Sequence, residues 1–192
     1  MIADWKVRKV DRVVVDSLVR RHYLHRWPGV VVCVLGLEDQ VSIIGCLIFA
    51  LPPRETAKRY GVTLVWELAR LFIEDNTPKN AETWFVSRAL RWVRKNRPDV
   101  ECVVSYADPS VGHQGVIYQA GNWIKDGRTD QERKTPRFDY EDPETGKHYS
   151  RRSHVPTCIV PVRVPRTSKF RYVYWLDRTH EQRRQESLKV GK

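Results

Sequence analysis

The chain has 192 residues, 41% of them hydrophobic, which is enough for one large domain with a sizeable core. Its net charge of +11 favours a polyanionic partner, most commonly nucleic acid, over a merely basic surface. No apolar run approaches the roughly 20 residues that span a bilayer, and the N-terminus lacks a secretory pattern. The four scattered cysteines indicate buried thiols in a reducing cytoplasm rather than disulfides or a zinc site.

The first half of the chain predicts a helix followed by an antiparallel pair of strands. Residues 11–23 have apolar side chains at the spacing of an amphipathic helix, and Pro28-Gly29 ends the segment. Residues 30–37 and 41–51 are apolar and are separated by a short acidic turn, which is typical of a hairpin. We expect a basic loop from there to Gly61.

Two charges interrupt the next apolar run, residues 62–73, which we predict to be a third strand. Glu67 and Arg70 are three positions apart, so they point to opposite faces of a regular strand unless a bulge intervenes. A charge in a central strand is costly unless it is paired or functional. Both residues are therefore candidate functional residues, with Glu67 placed in substrate binding.

A helix should begin at Thr77-Pro78, with threonine as its N-cap and proline in its first position. Its apolar stripe predicts packing against the sheet. Arg88, Arg91 and Lys95 form a second, basic stripe, which is either a solvated face or a set of DNA phosphate contacts.

Residues 100–124 contain the densest set of functional side chains in the sequence. A short β-branched run reads as a buried strand that ends at Asp108-Pro109, and a helix should follow near Gly112. We expect its buried face to carry Val116, Ala120 and Trp123, and a more exposed face to carry Gln114 and Tyr118. Ligands bind at the carboxyl ends of strands in open α/β sheets, although a polar, well-capped turn is the alternative. The candidate residues at this junction are Ser105, Tyr106, Asp108, His113, Gln114 and Tyr118.

The composition changes after residue 124. Residues 125–155 are polar and apolar-poor, which predicts a long hairpin or an ordered loop inserted into the domain. Residues 159–164 and 170–176 return to strand-like alternation, and residues 177–192 form a basic tail. The domain therefore spans residues 1–176. We expect DNA phosphate contacts mainly from the C-terminal cations, with the helical stripe as a second group: Arg151, Arg152, Arg163, Arg166, Lys169, Arg171, Arg88 and Arg91.

The order of these elements predicts an α+β (α/β-like) domain. Helix, hairpin, strand, helix, strand, helix and further strands match the Gcn5-related N-acetyltransferase (GNAT) fold. We expect a mixed, mostly antiparallel central sheet flanked by helices, with a C-terminal β-rich basic extension. A fold by itself does not give a function.

Several blocks of the chain resemble the Mom proteins of Mu-like bacteriophages. The resemblance covers roughly residues 12–125 and its three central blocks are too long to be chance matches. The matching blocks are His22-Tyr23, Trp66-Glu67-Leu68-Ala69-Arg70-Leu71, Pro78-Lys79-Asn80-Ala81-Glu82-Thr83-Trp84, Ser87-Arg88, Ser105-Tyr106-Ala107-Asp108-Pro109 and Gly112-His113-Gln114-Gly115-Val116-Ile117-Tyr118-Gln119-Ala120.

The resemblance implies a GNAT-like, phage-encoded enzyme in the cytoplasm of a bacterial host. Mom-type enzymes convert adenine in double-stranded DNA to its N6-carbamoylmethyl (acetamido) form, which protects phage DNA from restriction. They would use a small-molecule donor of that group. The resemblance places the catalytic positions on five residues: His22, Tyr23, Arg70, Asp108 and Tyr118.

The resemblance also links the family to iron. His22, Tyr23 and Asp108 are the candidate ligands, because imidazole, phenolate and carboxylate suit iron better than a thiolate-preferring metal. His22 and His25 are spaced like metal ligands on a helix, although cationic side chains at a helix C-terminus also serve as caps.

One departure from the wider GNAT pattern argues against acyl-CoA as the donor. GNAT enzymes hold the pyrophosphate with a glycine-rich turn at a helix N-terminus, whereas residues 74–80 of this chain contain two acids and no glycine. Attachment through N–CH₂ is also an alkylation rather than an acyl transfer. The competing interpretations are a conventional acetyltransferase acting on an amine or a modified base, which the glycine-free turn disfavours, and a DNA-binding protein without chemistry, which the polar junction disfavours.

Overall fold

The computed structural model describes residues 4–131, 133–149, 154–179 and 182. In this part of the chain the strands are Lys6–Lys9 (β1), Val31–Glu38 (β2), Ile43–Ala50 (β3), Val65–Ile73 (β4), Cys102–Ala107 (β5), Ile124–Arg128 (β6), Phe138–Glu141 (β7), His148–Tyr149 (β8), Val162–Pro165 (β9) and Phe170–Trp175 (β10). The α-helices are Arg12–Arg21 (α1), Arg54–Tyr60 (α2), Ala81–Asn96 (α3) and Val116–Ala120 (α4).

A seven-stranded sheet in the order β1-β2-β3-β4-β5-β10-β6 forms the centre of the fold. Strands β4 and β5 pair in parallel and every other pair in this sheet is antiparallel, which confirms the expected mixed, mostly antiparallel sheet. The C-terminal strand β10 lies inside this sheet, between β5 and β6, so the expected β-rich extension is wrong for this strand. Strands β8, β7 and β9 form a separate small sheet.

The central sheet buries both of its faces. One face packs against α3 and α4 through a large cluster that includes Leu47, Trp66, Phe85 and Tyr172, all at most 1% exposed. The other face packs against α1 through Val15, Val19 and Ile48, among others, and against α2 further along. Each fully buried aliphatic or aromatic side chain contributes about 1.5–3 kcal/mol, so these two layers hold the sheet in place.

Three elements differ from the sequence-based prediction: helix α2, strand β1 and the start of helix α3. The expected basic loop contains α2, in which Thr56 is buried and which Gly61 ends in the left-handed region at φ 63°. The first strand was not predicted, because a four-residue, mostly charged segment becomes a strand only by pairing with β2. Helix α3 begins at Ala81 rather than at Thr77-Pro78, because Asn80 at φ 69° turns the chain immediately before it.

The helix after β5 is shorter than predicted and has a different buried face. A 3-10 turn covers Pro109–Val111, and α4 begins only after Gly115. Val116 is 68% exposed, whereas Tyr118 is 7% exposed, so the expected exposure of these two residues is reversed. Ala120 is also exposed, which leaves Trp123 as the correctly predicted core residue of this segment.

The predicted insertion, residues 125–155, contains most of β6, which joins the central sheet, together with β7 and β8. Most of the predicted basic tail, residues 177–192, lies outside the described residues, so the proposed domain limits stay predictions. Cys33, Cys46 and Cys102 are buried and Cys158 is exposed, and all four thiols are free. No helix in the described ranges combines the length and hydrophobicity needed to span a membrane.

Candidate active site

A cleft opens in the central sheet where its two parallel strands separate. Residues of β4 and β5 pair only from Val65 with Cys102 to Glu67 with Val104. The next residue of β5, Ser105, donates its hydroxyl proton to the carbonyl oxygen of Leu68 at 2.8 Å. Beyond this bridge the two strands enclose a cavity of about 470 Å³, within the usual range for small-molecule sites.

A β-bulge in β4 shapes one wall of the cleft. Opposite β3, Leu68 pairs with Phe49 and Arg70 with Ile48, so Ala69 is an extra residue. Such a bulge bends the strand and changes the direction of its side chains. Since Glu67 pairs with Ala50, two residues from Ile48, the bulge places Glu67 and Arg70 on the same face of the sheet. The sequence allowed opposite faces for a regular strand or the same face with a bulge, and the structure has the bulge.

Eight of the predicted catalytic and substrate-binding residues line this cleft, whereas Asp108 and Glu67 do not. The eight are His22, Tyr23, Arg70, Ser105, Tyr106, His113, Gln114 and Tyr118. They come from three segments that are distant in sequence: the end of α1, the bulged half of β4, and the β5–α4 junction. Their convergence agrees with the predicted position of the site, and their individual roles stay predictions.

Arg70 places a buried positive charge in the cleft wall. It is 8% exposed, and its guanidinium donates from Nε to the carbonyl of Arg26 at 3.0 Å and from Nη1 to the carbonyl of Ala69 at 2.5 Å. Burial lowers the pKa of Arg70, but a guanidinium remains protonated at neutral pH. Within the described ranges Arg70 forms no ion pair. Its charge is therefore available to an anionic or electron-rich group in the cleft.

Three rings form a second wall of the cleft. The His22 ring lies 4.4 Å from the Tyr23 ring, and Tyr23 meets His113 edge to face at 4.9 Å. The Nδ1 atom of His22 accepts the Leu24 N–H at 3.1 Å, so the neutral ring carries its proton on Nε2. Burial lowers the pKa of His22 to about 4, helped by the charges of Arg70 and His113. His22 is therefore a neutral hydrogen-bond donor at neutral pH.

Tyr118 forms the floor of the cleft and is also a core residue. Its ring packs against Trp123 and Tyr172, each at 5.1 Å between centroids. Its hydroxyl lies 2.7 Å from the Ser105 hydroxyl, whose single proton is already directed to the Leu68 carbonyl. Tyr118 therefore donates to Ser105. Burial raises the pKa of Tyr118 to about 12, so it is protonated at neutral pH.

Ser105 is 1% exposed and acts as the partner that orients Tyr118, in addition to lining the cleft. The expectation that Tyr118 lies outside the core is wrong.

Asp108 sits beside the cleft as an anchoring carboxylate. It accepts from the Ser110 backbone at 3.1 Å and from its hydroxyl at 2.6 Å, and it pairs with Lys169 at 2.8 Å. Burial raises the pKa of Asp108, but the hydrogen bonds from Lys169 and Ser110 lower it by more, and the net shift is downward. An ionised carboxylate with both oxygens engaged is a weak proton acceptor. This geometry disfavours a role for Asp108 as a general base.

The predicted iron ligands His22, Tyr23 and Asp108 already make other contacts in this structure. No group of three or more His, Cys, Asp or Glu residues in the described part of the chain is placed to hold a metal ion. Both Asp108 oxygens are engaged, and His22 Nδ1 already accepts a backbone proton. His25 directs its Nδ1 to the Arg20 carbonyl at 2.7 Å, which fits the helix-capping alternative. Iron stays a prediction, and no chemical step is derived through it.

The predicted C-terminal DNA contacts are largely occupied by acidic partners. Arg166 pairs with Asp139, Lys169 with Asp108, and Arg171 with Asp126. The guanidinium of Arg163 lies 4.6 Å from the centre of the Phe138 ring. Arg151 and Arg152 lie outside the described residues. Fewer cations of this region are therefore available to DNA than its content of arginine and lysine suggested.

Two acidic residues line one end of the cleft; Asp75 belongs to the acidic turn at residues 74–80, whereas Glu82 was not singled out from the sequence. Asp75 follows β4 and Glu82 lies in the first turn of α3. An acidic residue in the first turn is common in any helix, so the sequence offered no special signal for Glu82. Both carboxylates add negative charge to this end of the cleft.

Solved acetyltransferase structures share this fold. The IAA acetyltransferase from Bacillus cereus superposes with a TM-score of 0.54 at 9% identity, covering 89% of this chain and 99% of that chain. A GNAT family acetyltransferase from Elizabethkingia anophelis gives 0.52 at 8% identity over 90% and 98%. The Drosophila melanogaster polyamine N-acetyltransferase gives 0.55 at 9% identity over 90% and 100%. At these identities the similarity establishes the GNAT-like fold alone.

Sequence comparison gives the family. The chain is 33% identical over 108 residues to a protein of Escherichia phage Mu named methylcarbamoylase mom. That match covers 54% of this chain and 45% of the phage protein, so the chain aligns with about half of its relative. A sequence model of the Mom protein family matches residues 4–190. This protein therefore belongs to the Mom protein family.

Proposed function

We propose that this protein is a transferase that modifies adenine in double-stranded DNA at N6, with a carbamoylmethyl group as the transferred unit. Family membership and the name of the phage Mu relative support this proposal. The observation that carries it is the convergence of Tyr23, Arg70 and Tyr118, from three separate segments, on one cleft at the open end of the sheet. As the family resemblance implies, we expect the enzyme to act in the bacterial cytoplasm and to protect DNA from restriction.

The cleft has the character of a pocket for an extruded base. Adenine N6 lies inside the base pair, so an enzyme that reacts with it takes the base out of the stack. Tyr23 is 37% exposed at the cleft wall and offers a ring face for stacking. His22 Nε2–H and the Tyr118 oxygen offer one donor and one acceptor inside the cleft for the edge of the base.

The reaction balances as an alkylation. The lone pair of N6 forms a bond to the CH₂ carbon of a carbamoylmethyl donor, and the leaving group departs with the electrons of its bond to that carbon. The proton that N6 loses passes to solvent water or to the departing leaving group. Since the alkylated nitrogen is strongly acidic before that loss, a strong general base is not required. Arg70 stabilises negative charge that develops on the leaving group or on the amide oxygen of the donor.

An acyl-CoA-dependent acetyltransferase is the second candidate, because the structural relatives are named acetyltransferases. The acidic end of the cleft, with Asp75 and Glu82, disfavours it because these carboxylates repel a pyrophosphate. A DNA-binding protein without chemistry would have no use for a buried cation and neutral histidine around a 470 Å³ cleft.

Expression in bacteria followed by nuclease digestion and mass spectrometry of the host DNA separates these candidates. We expect a new deoxyadenosine with the mass increment of a carbamoylmethyl group at N6. An acetyl increment would support the second candidate instead. Unmodified DNA from cells that contain the folded, DNA-binding protein would contradict both transferase assignments.

A further inference from the structure

A second concave surface lies at the β1 edge of the central sheet, beside α3. It is an open groove of about 880 Å³ between the edge strand β1 and the outer side of α3, and we call it the β1–α3 groove. It is lined by Trp5, Lys6, Val7, Arg8, Trp84, Arg88, Arg91, Trp92, Lys95 and Asn96. It shares no lining residue with the active-site cleft.

Five cations and no carboxylate line this groove. Arg8 pairs with Glu38 of the neighbouring strand and keeps half of its side chain exposed. Within the described residues, Lys6, Arg88, Arg91 and Lys95 form no ion pair. Their charge is available to an external anion, unlike that of Arg166, Lys169 and Arg171.

Three half-buried tryptophans alternate with these cations. The rings of Trp5 and Trp84 meet edge to face at 5.8 Å, and the guanidinium of Arg88 lies 5.0 Å from the centre of the Trp84 ring. Trp84, Arg88 and Trp92 follow one another at four-residue spacing along α3, so they form a continuous row. A surface that served only for solubility would not combine unpaired cations with partly exposed indole rings.

We propose that the β1–α3 groove binds single-stranded DNA. Such sites combine a cationic groove that follows the phosphates with aromatic rings on which unpaired bases stack. The three tryptophans also pack against the core, but a duplex hides its base faces and could not stack on the exposed parts of their rings. This binding does not depend on the modification chemistry. It would place the nucleic-acid contacts on β1 and α3 rather than in the C-terminal third of the chain.

Binding of a fluorescently labelled oligothymidine to the full chain tests the proposal, with a duplex of equal length as the second probe. We compare the wild type with the triple variant Arg88→Ala, Arg91→Ala, Lys95→Ala over a range of salt concentrations. Loss of three phosphate contacts should weaken binding at least tenfold and reduce the slope of log affinity against log salt by about 2. Trp84→Ala should weaken binding of the single strand by about tenfold with an unchanged slope.

A charge-matched variant, Arg54→Ala, Lys58→Ala, Lys134→Ala, serves as the control because these three exposed cations lie outside both the groove and the cleft. It should bind the oligonucleotide like the wild type. Thermal unfolding of every variant checks that the fold is intact. Equal losses of single-strand binding in the two triple variants, or a loss of duplex binding in the groove variant as large as its loss of single-strand binding, would overturn the proposal. If the groove variant loses single-strand binding but still modifies DNA, single-strand binding at the groove is independent of the proposed function.

Discussion

The cleft and the β1–α3 groove hold positive charge in opposite ways. In the cleft, Arg70 is 8% exposed and fixed by backbone carbonyls, and the field of its charge helps to lower the pKa of His22. In the groove, Arg88, Arg91 and Lys95 are exposed and free of described acidic partners. A desolvated charge acts strongly over a few ångströms, whereas hydrated charges are screened by salt. The cleft is therefore suited to a small reacting group and the groove to a long polyanion.

Among the substitutions proposed, replacing the buried cation Arg70 should have the largest effect on activity. We expect Arg70→Gln to reduce DNA modification by about a hundred- to a thousandfold, as for loss of one preorganised electrostatic contact in a transition state. Oligonucleotide binding at the groove should be unchanged. Mass spectrometry of DNA from expressing cells measures the first quantity.

A matched control is Arg97→Gln, which removes a half-buried arginine that pairs with Asp99 and lies over the Trp66 ring, outside the cleft. Added guanidinium should partly restore the activity of Arg70→Gln if the charge itself is required. Full activity of Arg70→Gln would show that the buried charge has no part in the reaction.

The close packing beneath the cleft gives a second prediction. Gly115 has φ +75°, and a Cβ atom there would overlap the ring of Tyr172. The variant Gly115→Ala should lose about 4 kcal/mol of unfolding free energy, because left-handed strain and overpacking add. Gly61→Ala is a control with a similar φ and open space around it, and it should lose only about 1 kcal/mol. Equal losses in denaturant titrations would mean that the Tyr172 contact is unimportant.

The buried histidine makes stability depend on pH. The folded pKa of His22 is lowered from 6.5 to about 4, so the unfolded chain binds more protons between these values. This contribution to stability is fully present above pH 6.5 and is lost progressively as the pH falls toward 4. Between those limits the wild type should lose up to about 3 kcal/mol that His22→Gln does not lose. Identical pH dependence of the two proteins in urea unfolding would contradict the buried neutral state.

The position of the cleft was more predictable than its interior. The polar cluster at residues 105–118 follows directly from a strand that ends in Asp-Pro, which is a local signal. The burial of Tyr118 and the exposure of Val116 were mispredicted, because Gly115 delays the start of α4 and rotates its faces. The bulge at Ala69 depends on pairing with β3, which no window of the β4 sequence contains.

The charge of the surface was harder to predict from the sequence than the cleft. Arg166 and Arg171 stand in a basic stretch, yet their partners Asp139 and Asp126 come from other strands, so their neutralisation is a tertiary effect. The stripe on α3 was visible from helical spacing alone. Trp5, on its opposite wall, enters the groove only because β1 pairs with β2.

The smallest predicted effect separates the two roles of Tyr118. Removing its hydroxyl in Tyr118→Phe keeps the ring contacts with Trp123 and Tyr172 and removes the bond to Ser105, so the unfolding free energy should fall by only about 1 kcal/mol. If the hydroxyl also binds the base, modification should fall far more than this stability loss explains. The control Ser105→Ala keeps the Tyr118 hydroxyl and removes the partner that orients it, so it should retain more activity. Wild-type modification by Tyr118→Phe, at the expected stability, would leave Tyr118 as a purely structural residue of the cleft floor.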